Sequence, residues 1–458
     1  MTLTKHNRFN AGGNQIDLPM GCDIVHSMER ERIAREIFAA TLGAANPAEA
    51  TGKHAGRLRA LFQEERYGRL FVIGFGKAAV PMARALEEPL GDLITGGIVI
   101  TRYGHTSGHP GKVRVIEAGH PVPDDNGVRG TGGILDLVAN VDERTLVVVL
   151  VSGGGSALFV SPCAGISLGA KQETTELLLR AGAEIDELNR VRKHLSNVKG
   201  GRLAQILHPA TVVSLILSDV IGDRLDVIAS GPTSPDPTTY GDALATLDKY
   251  GLKGQIPQPV VQLLERGKRG LLPETPKEGN PVFRKVENQI IGSNRLALNA
   301  AQSAAQALGF RAQILSEEIS GEAREAGIRL AREALAARLQ KGAQTVCLIA
   351  GGETTVTVTG TGKGGRNMEL ALAFAMEIQG IYGITLLSAG TDGTDGPTDA
   401  AGAVVDGKTA ARARMQGLVP EEYLRNNDSY GFFRETGNLL ITGPTGTNVM
   451  DIQIVVIA

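Results

Sequence analysis

Residues 146–158 read LVVVLVSGGGSAL: six aliphatic side chains in a row run straight into three glycines flanked by Ser152 and Ser156. A strand with one wet face alternates apolar and polar residues. This one does not, so both of its faces must be covered. The same juxtaposition recurs in VIGFGKAA (72–79), IAGGETTV (349–356) and LSAGTDGTDGPTDAAGA (387–403). Between these runs lie amphipathic segments such as KAAVPMARALEE and GGRNMELALAFAMEIQG. Buried strands alternating with amphipathic helices predict an α/β fold built on a mainly parallel sheet. Glycine makes up 59 of 458 residues, clustered between patterned segments. That distribution fits strand-to-helix turns rather than a low-complexity tract.

Helical patterning begins near Ile24 and continues in pieces to about Tyr67, after which RLFVIG, KAAVPMARALEE and GGIVIT read strand, helix, strand. VRVIEA, a helix over about 126–141, LVVVLV, two further helical stretches and TVVSLILSD follow. Residues 255–285 are rich in proline, glycine and charge, and NQIIGSN then restarts a strand. The expected division is a disordered polar tail over 1–22, an α/β domain over 23–285 and a second α/β domain over 286–458. The second carries more alternating, antiparallel-looking strands.

Forty-seven basic residues against 49 acidic ones leave a net charge of −2, no field for nucleic acid or an anionic membrane. No apolar run approaches the ~20 residues of a membrane span, and the first residues lack the apolar segment of a secretory signal. A soluble, cytoplasmic chain is expected, with neither nucleic acid nor membrane as partner. Cys22, Cys163 and Cys347 match no metal spacing and suggest no disulfide framework.

In open α/β sheets ligands bind beyond the carboxyl ends of the strands. There, bare glycine backbone exposes N–H groups to anions. Gly74, Gly76 and Ala79 satisfy the dinucleotide fingerprint, but the next strand ends in IVITRYG, without the acid that would hold a ribose. Arg102 there suits only a 2′-phosphate, and Lys77 within the turn suits a phosphate carrying developing charge. Ser152, Gly153, Gly154, Gly155 and Ser156 read as an anion cradle. The second glycine of a serine-hydrolase elbow is missing.

In RKHLSNVKGGRLA, Asn197 and Lys199 stand beside His194, Ser196 and Arg202 at a helix end, where capping competes with ligand binding. Asp219 and Asp223 follow a buried strand, where a carboxylate can cap a turn, bind Mg²⁺ or take a proton from a hydroxyl. Arg366 opens a helix against the macrodipole, which a bound carboxylate or phosphate would explain. Asp392, Asp395 and Asp399 alternate with threonines and suit Mg²⁺–nucleotide or an Asx turn. They do not form an EF-hand, because Ala403 replaces its twelfth-position Glu. His105 and His109 sit in a Gly/Pro loop that supports no metal site.

These stretches, with EAGHPVPD, LSDVIGDRLDVIASGPT and LLITGPTGTNVMD, resemble the class II glycerate 2-kinases, whose C-terminal half is called the MOFRL domain. The match runs in the family's order over about residues 25–456; Ile221 stands where the family pattern has proline. The resemblance implies a Rossmann-like N-terminal domain, a C-terminal α/β domain and an active site in the cleft between them. It implies ATP-dependent phosphorylation of D-glycerate at the 2-hydroxyl, giving 2-phosphoglycerate and ADP. On that basis Lys77 and Arg366 carry the charge of the phosphoryl group or the glycerate carboxylate. Asp219 is the base, and the Ser152–Ser156 loop with Asn197 and Lys199 binds anion. Glu353, Asp392 and Asp395 are the Mg²⁺ ligands. ATP and D-glycerate are the expected small-molecule partners of a monomer or homodimer. The alternative is an NAD(P)H-dependent hydroxypyruvate reductase.

Overall fold

The computed structural model describes residues 20–106 and 111–458, with side chains in the first helix from Ser27 onward. The expected tail over 1–22 lies outside the described residues except for its last three, which already belong to the helix Met20–Ala44. His109 also lies outside them.

Six parallel strands form the first sheet: β1 (Arg69–Phe75), β2 (Ile94–Arg102), β3 (Val113–Ala118), β4 (Thr145–Val151), β5 (Thr211–Leu217) and β6 (Val286–Gly292). Their order is β3-β2-β1-β4-β5-β6. Side chains alternate across a strand, so an unbroken aliphatic run serves two cores. In β4, Leu146, Val148 and Leu150 join one core with Met82 and Leu86 of the helix Ala79–Leu90. Val147, Val149 and Val151 join the other with Ile134 and Leu203.

The second sheet contains β7 (Arg311–Ile319), β8 (Val346–Gly352), β9 (Ile384–Gly390), β10 (Gly402–Asp406), β11 (Leu439–Leu440) and β12 (Asp451–Ile457). They run in the order β11-β10-β9-β12-β8-β7. Only β7 and β8 pair in parallel; the other neighbours are antiparallel. The helices Ala323–Gln340 and Arg366–Glu377 cover one face. The helix Asn294–Ala307 covers the other, together with Ala34, Ile37 and Phe38 of the first helix.

The α/β class expected from the sequence is therefore present, but the sheets exchange elements across the division drawn at 285. β6, assigned by its restart to the second unit, completes the first sheet as an edge strand, and its half-exposed pattern suits an edge. The first helix lies on the second sheet instead of the first. Among the described residues no helix is long and apolar enough to cross a membrane.

Candidate active site

The strand order reverses between β1 and β4, so the chain leaves these neighbours in opposite directions. That is where open α/β sheets hold ligands. Gly76 has φ +130°, and a Cβ there would stand 2.2 Å from Ser152 Oγ. The two loops touch through backbone: Lys77 N–H donates to Gly153 O at 2.9 Å, and Ala78 N–H donates to Ser152 Oγ at 3.0 Å. Ser152 is thus a buried pin between loops, not a ligand group on the surface of the crevice.

The three glycines are each required by a different neighbour. A Cβ on Gly153 would meet Asp219 Oδ2 at 2.5 Å. On Gly154 (φ +82°) it would meet the His120 ring at 2.8 Å, and on Gly155 it would meet Phe75 and Ala229 at 3.0 Å. The backbone is bare because side chains from the ends of three other strands close over it. The N–H groups of Gly153, Gly154 and Ser156 have no acceptor among the described residues. With Gly154 left-handed, they form the kind of concave N–H cluster that takes an anion.

Lys77 is half-buried, and its ammonium has no ion pair among the described residues. Asp219 is also half-buried. Burial raises its carboxyl above the usual range, while its own N–H and the charge of Lys77 oppose the rise. A cation, a carboxylate without a salt bridge and orphan N–H groups therefore share one crevice.

The remaining anion-binding expectations divide. Ser156 Oγ bonds Ser230 Oγ at 2.8 Å. Asn197 is exposed and donates to Pro162 O at 2.8 Å. Lys199 is wholly buried, and its ammonium donates to Ala229 O at 3.3 Å. Among the described residues that carbonyl is its one acceptor, so it belongs to the scaffold around Ala229. Burial and the charges of Lys171 and Arg192 push it well below the usual lysine range.

Arg366 does oppose the helix it opens, and in this structure carboxylates answer its charge. Its Nε and Nη2 hold Asp451 at 2.5 and 3.0 Å, and Nη1 holds Glu353 Oε1 at 2.8 Å. Asp395 accepts the N–H groups of Asn367 at 3.1 Å and Met368 at 2.8 Å, one on each oxygen. It caps the helix from across the fold, and burial raises its carboxyl to about 7 against those two N–H groups. Asp392 Oδ1 closes an Asx turn on Thr394 N at 3.0 Å.

The predicted Mg²⁺ ligands do not fit a shared ion. Asp395 has both oxygens occupied and Glu353 is paired with Arg366. Among the described residues no three His, Cys, Asp or Glu groups come together to hold a metal. Two further residues, Asp451 and His120, belong to these clusters. Asp451 closes the quoted stretch LLITGPTGTNVMD and opens the mainly apolar strand DIQIVVI. His120 lies in EAGHPVPD, one of the stretches that carry the resemblance, but its contact with Gly154 depends on how strand ends meet.

The two clusters are linked. Gly222, three residues past Asp219, faces Glu318 Oε1 on β7, 3.7 Å from where a Cβ would stand. Next along β7, Ile319 O accepts the N–H of Glu353 at 2.9 Å.

Residues 33–265 match a domain of unknown function (DUF4147), and residues 346–451 match the MOFRL family. A D-glycerate 2-kinase of Thermotoga maritima is 47% identical over 388 residues, 84% of this chain and 90% of its own. The chain belongs to the glycerate 2-kinase family. A glycerate 2-kinase of Pyrococcus horikoshii is 44% identical over 85% of this chain and 88% of its own. The crystal structure of a glycerate kinase from Thermotoga maritima superposes with a TM-score of 0.85 at 45% identity, covering 94% of this chain and all of that one. An Agrobacterium vitis relative, 40% identical over 94% of this chain and 95% of its own, carries the provisional name hydroxypyruvate reductase.

Proposed function

We propose that this chain is a glycerate 2-kinase that transfers the γ-phosphoryl group of ATP to the 2-hydroxyl of D-glycerate. The observation that carries the reading is the crevice where Lys77 and Asp219 flank three orphan N–H groups. Phosphoryl transfer needs positioning and charge stabilisation more than covalent chemistry, and this crevice supplies both. Asp219 takes the proton of the 2-hydroxyl as its oxygen attacks the γ-phosphorus. The bond to the β-phosphate oxygen breaks, and ADP leaves. A carboxyl raised by burial is suited to accept that proton. The Lys77 ammonium, with no competing carboxylate bond, offsets the charge that builds on the phosphoryl oxygens. The active site spans the contact between the turn at Gly222 and β7, with Arg366 entering from the second sheet. The near-neutral charge fits a cytoplasmic enzyme of small-molecule substrates.

Mg-ATP, D-glycerate and enolase, with no phosphoglycerate mutase present, are expected to give phosphoenolpyruvate absorbance. ADP release without that signal would move the reaction to another hydroxyl or to water. Lys77→Ala is expected to lower kcat by roughly 10²–10³, as removal of a transition-state donor does.

One observation favours the reductase: the strand order of the first sheet is that of dinucleotide-binding folds. Against it, β2 ends in Thr101 and Arg102 with no acid for a ribose. NADPH oxidation by hydroxypyruvate, with no phosphoenolpyruvate in the coupled assay, would decide for the reductase.

A further inference from the structure

His120 follows β3, which lies three places from β4 in the sheet. The segment after β3 nevertheless lays its imidazole on Gly154, in the loop that follows β4. There the ring's Cδ2 and Nε2 each stand 2.8 Å from the position of a Gly154 Cβ, with Lys77 Cγ on the other side at 3.5 Å. The ring is half-buried, yet neither nitrogen has a hydrogen-bond partner among the described residues. An imidazole with both nitrogens open at a crevice can offer one as a donor to a bound ligand.

The surrounding charges make that group a neutral one. Burial first, then Lys77, Arg102 and His105, lower the imidazole to about 4. The nearby carboxylates are occupied: Glu117 by Gly104 N–H, and Asp124 by Tyr103 and the helix it caps. Asp219 lies over the neighbouring residue, Gly153. The proton acceptor and the imidazole therefore close over consecutive residues of one loop.

We propose that His120 is a substrate-contacting, specificity-determining residue that hydrogen-bonds the carboxylate of the 2-hydroxy acid whose hydroxyl faces Asp219. The orphan N–H groups of Gly154 and Ser156 share the same carboxylate. This rests on the kinase reading of the crevice and adds which end of the acceptor goes where.

The test is histidine-labelled NMR of the full chain, with the His120 signal identified by its loss in His120→Asn. D-glycerate alone, without ATP, is expected to move that signal saturably, and an unmoved signal would overturn the contact. Because the unmodified protein is observed and no turnover is needed, the result stands whether or not phosphoryl transfer is seen. In kinetics His120→Ala is expected to raise KM for D-glycerate about 10- to 100-fold, the worth of a hydrogen bond to a charged group. KM for ATP should stay within about twofold, and His120→Asn, which keeps a donor, should recover part of the loss. Equal rises in both KM values, or no rise in either, would make His120 a packing residue only.

Discussion

The molecule treats its buried cations unequally. Lys193 is enclosed with Asp236 at 3.2 Å and Asp226 at 3.4 Å. Lys171, nearly as buried, has only the carbonyl of Arg192 at 3.2 Å, with Arg192's own charge nearby. Burial, then Arg192, pull it from 10.5 to about 7. The sign follows from proton counting. Between about 7 and 10.5 the unfolded chain holds a proton that the folded one has released, so stability rises with pH across that window. Below 7 the full cost of the enclosed charge is present. Lys171→Met should therefore stabilise the protein, by roughly 1–4 kcal/mol at pH 6, and by clearly less at pH 10. Urea unfolding at the two pH values reads the difference; equal gains would mean that the ammonium is solvated. Arg366 marks the limit of residue-level reading. Its position against the helix dipole is legible in the sequence, but the partners that answer it are Glu353 and Asp451, the latter 85 residues away in sequence. Three-dimensional return of the chain, not local spacing, decides whether such a cation meets a ligand or a carboxylate.

Elements follow the same division between local and distant causes. The strands β1, β4, β5, β8 and β9 are legible because an aliphatic run buried on both faces can hardly be anything else at that length. The membership of β6 is not, since its sequence says strand and says nothing about which sheet it joins. The first helix carries Ala34, Ile37 and Phe38 against strands more than 300 residues further on, and amphipathic patterning cannot name that partner. The Asp-rich loop shows the same limit in its chemistry. Acidic residues among threonines suit a metal or a cap, and the return of β9 toward the helix Arg366–Glu377 makes Asp395 a cap. Asp395→Ala should cost at least the ~1–2 kcal/mol of a lost N-terminal cap, seen as a lower Tm in EDTA as well as in Mg²⁺. A Tm unchanged in EDTA, with activity lost, would instead return Asp395 to the role of metal ligand.

At the scale of the whole molecule, the Lys77–Asp219 crevice belongs to one sheet and Arg366 to the other. In this structure Arg366 is committed to carboxylates, and its two bonds are unlike in strength. Asp451 is buried, whereas Glu353 is 46% exposed in its side chain and the arginine 34%. An exposed pair is worth little, about 0–1 kcal/mol. A phosphoryl oxygen can therefore replace Glu353 at Nη1 while Asp451 keeps the guanidinium aimed. On the proposed reading that exchange accompanies closure about the Gly222–Glu318 contact, and closure also excludes water from the transfer. Small-angle scattering should show a smaller radius of gyration with D-glycerate and a non-hydrolysable ATP analogue together than with neither. Arg366→Ala should bind both ligands and lose most of kcat. If the scattering curves coincide and Arg366→Ala keeps its kcat while losing stability, the chemistry resides in the first-sheet crevice alone, and Arg366 with Asp451 only fastens the helix to β12.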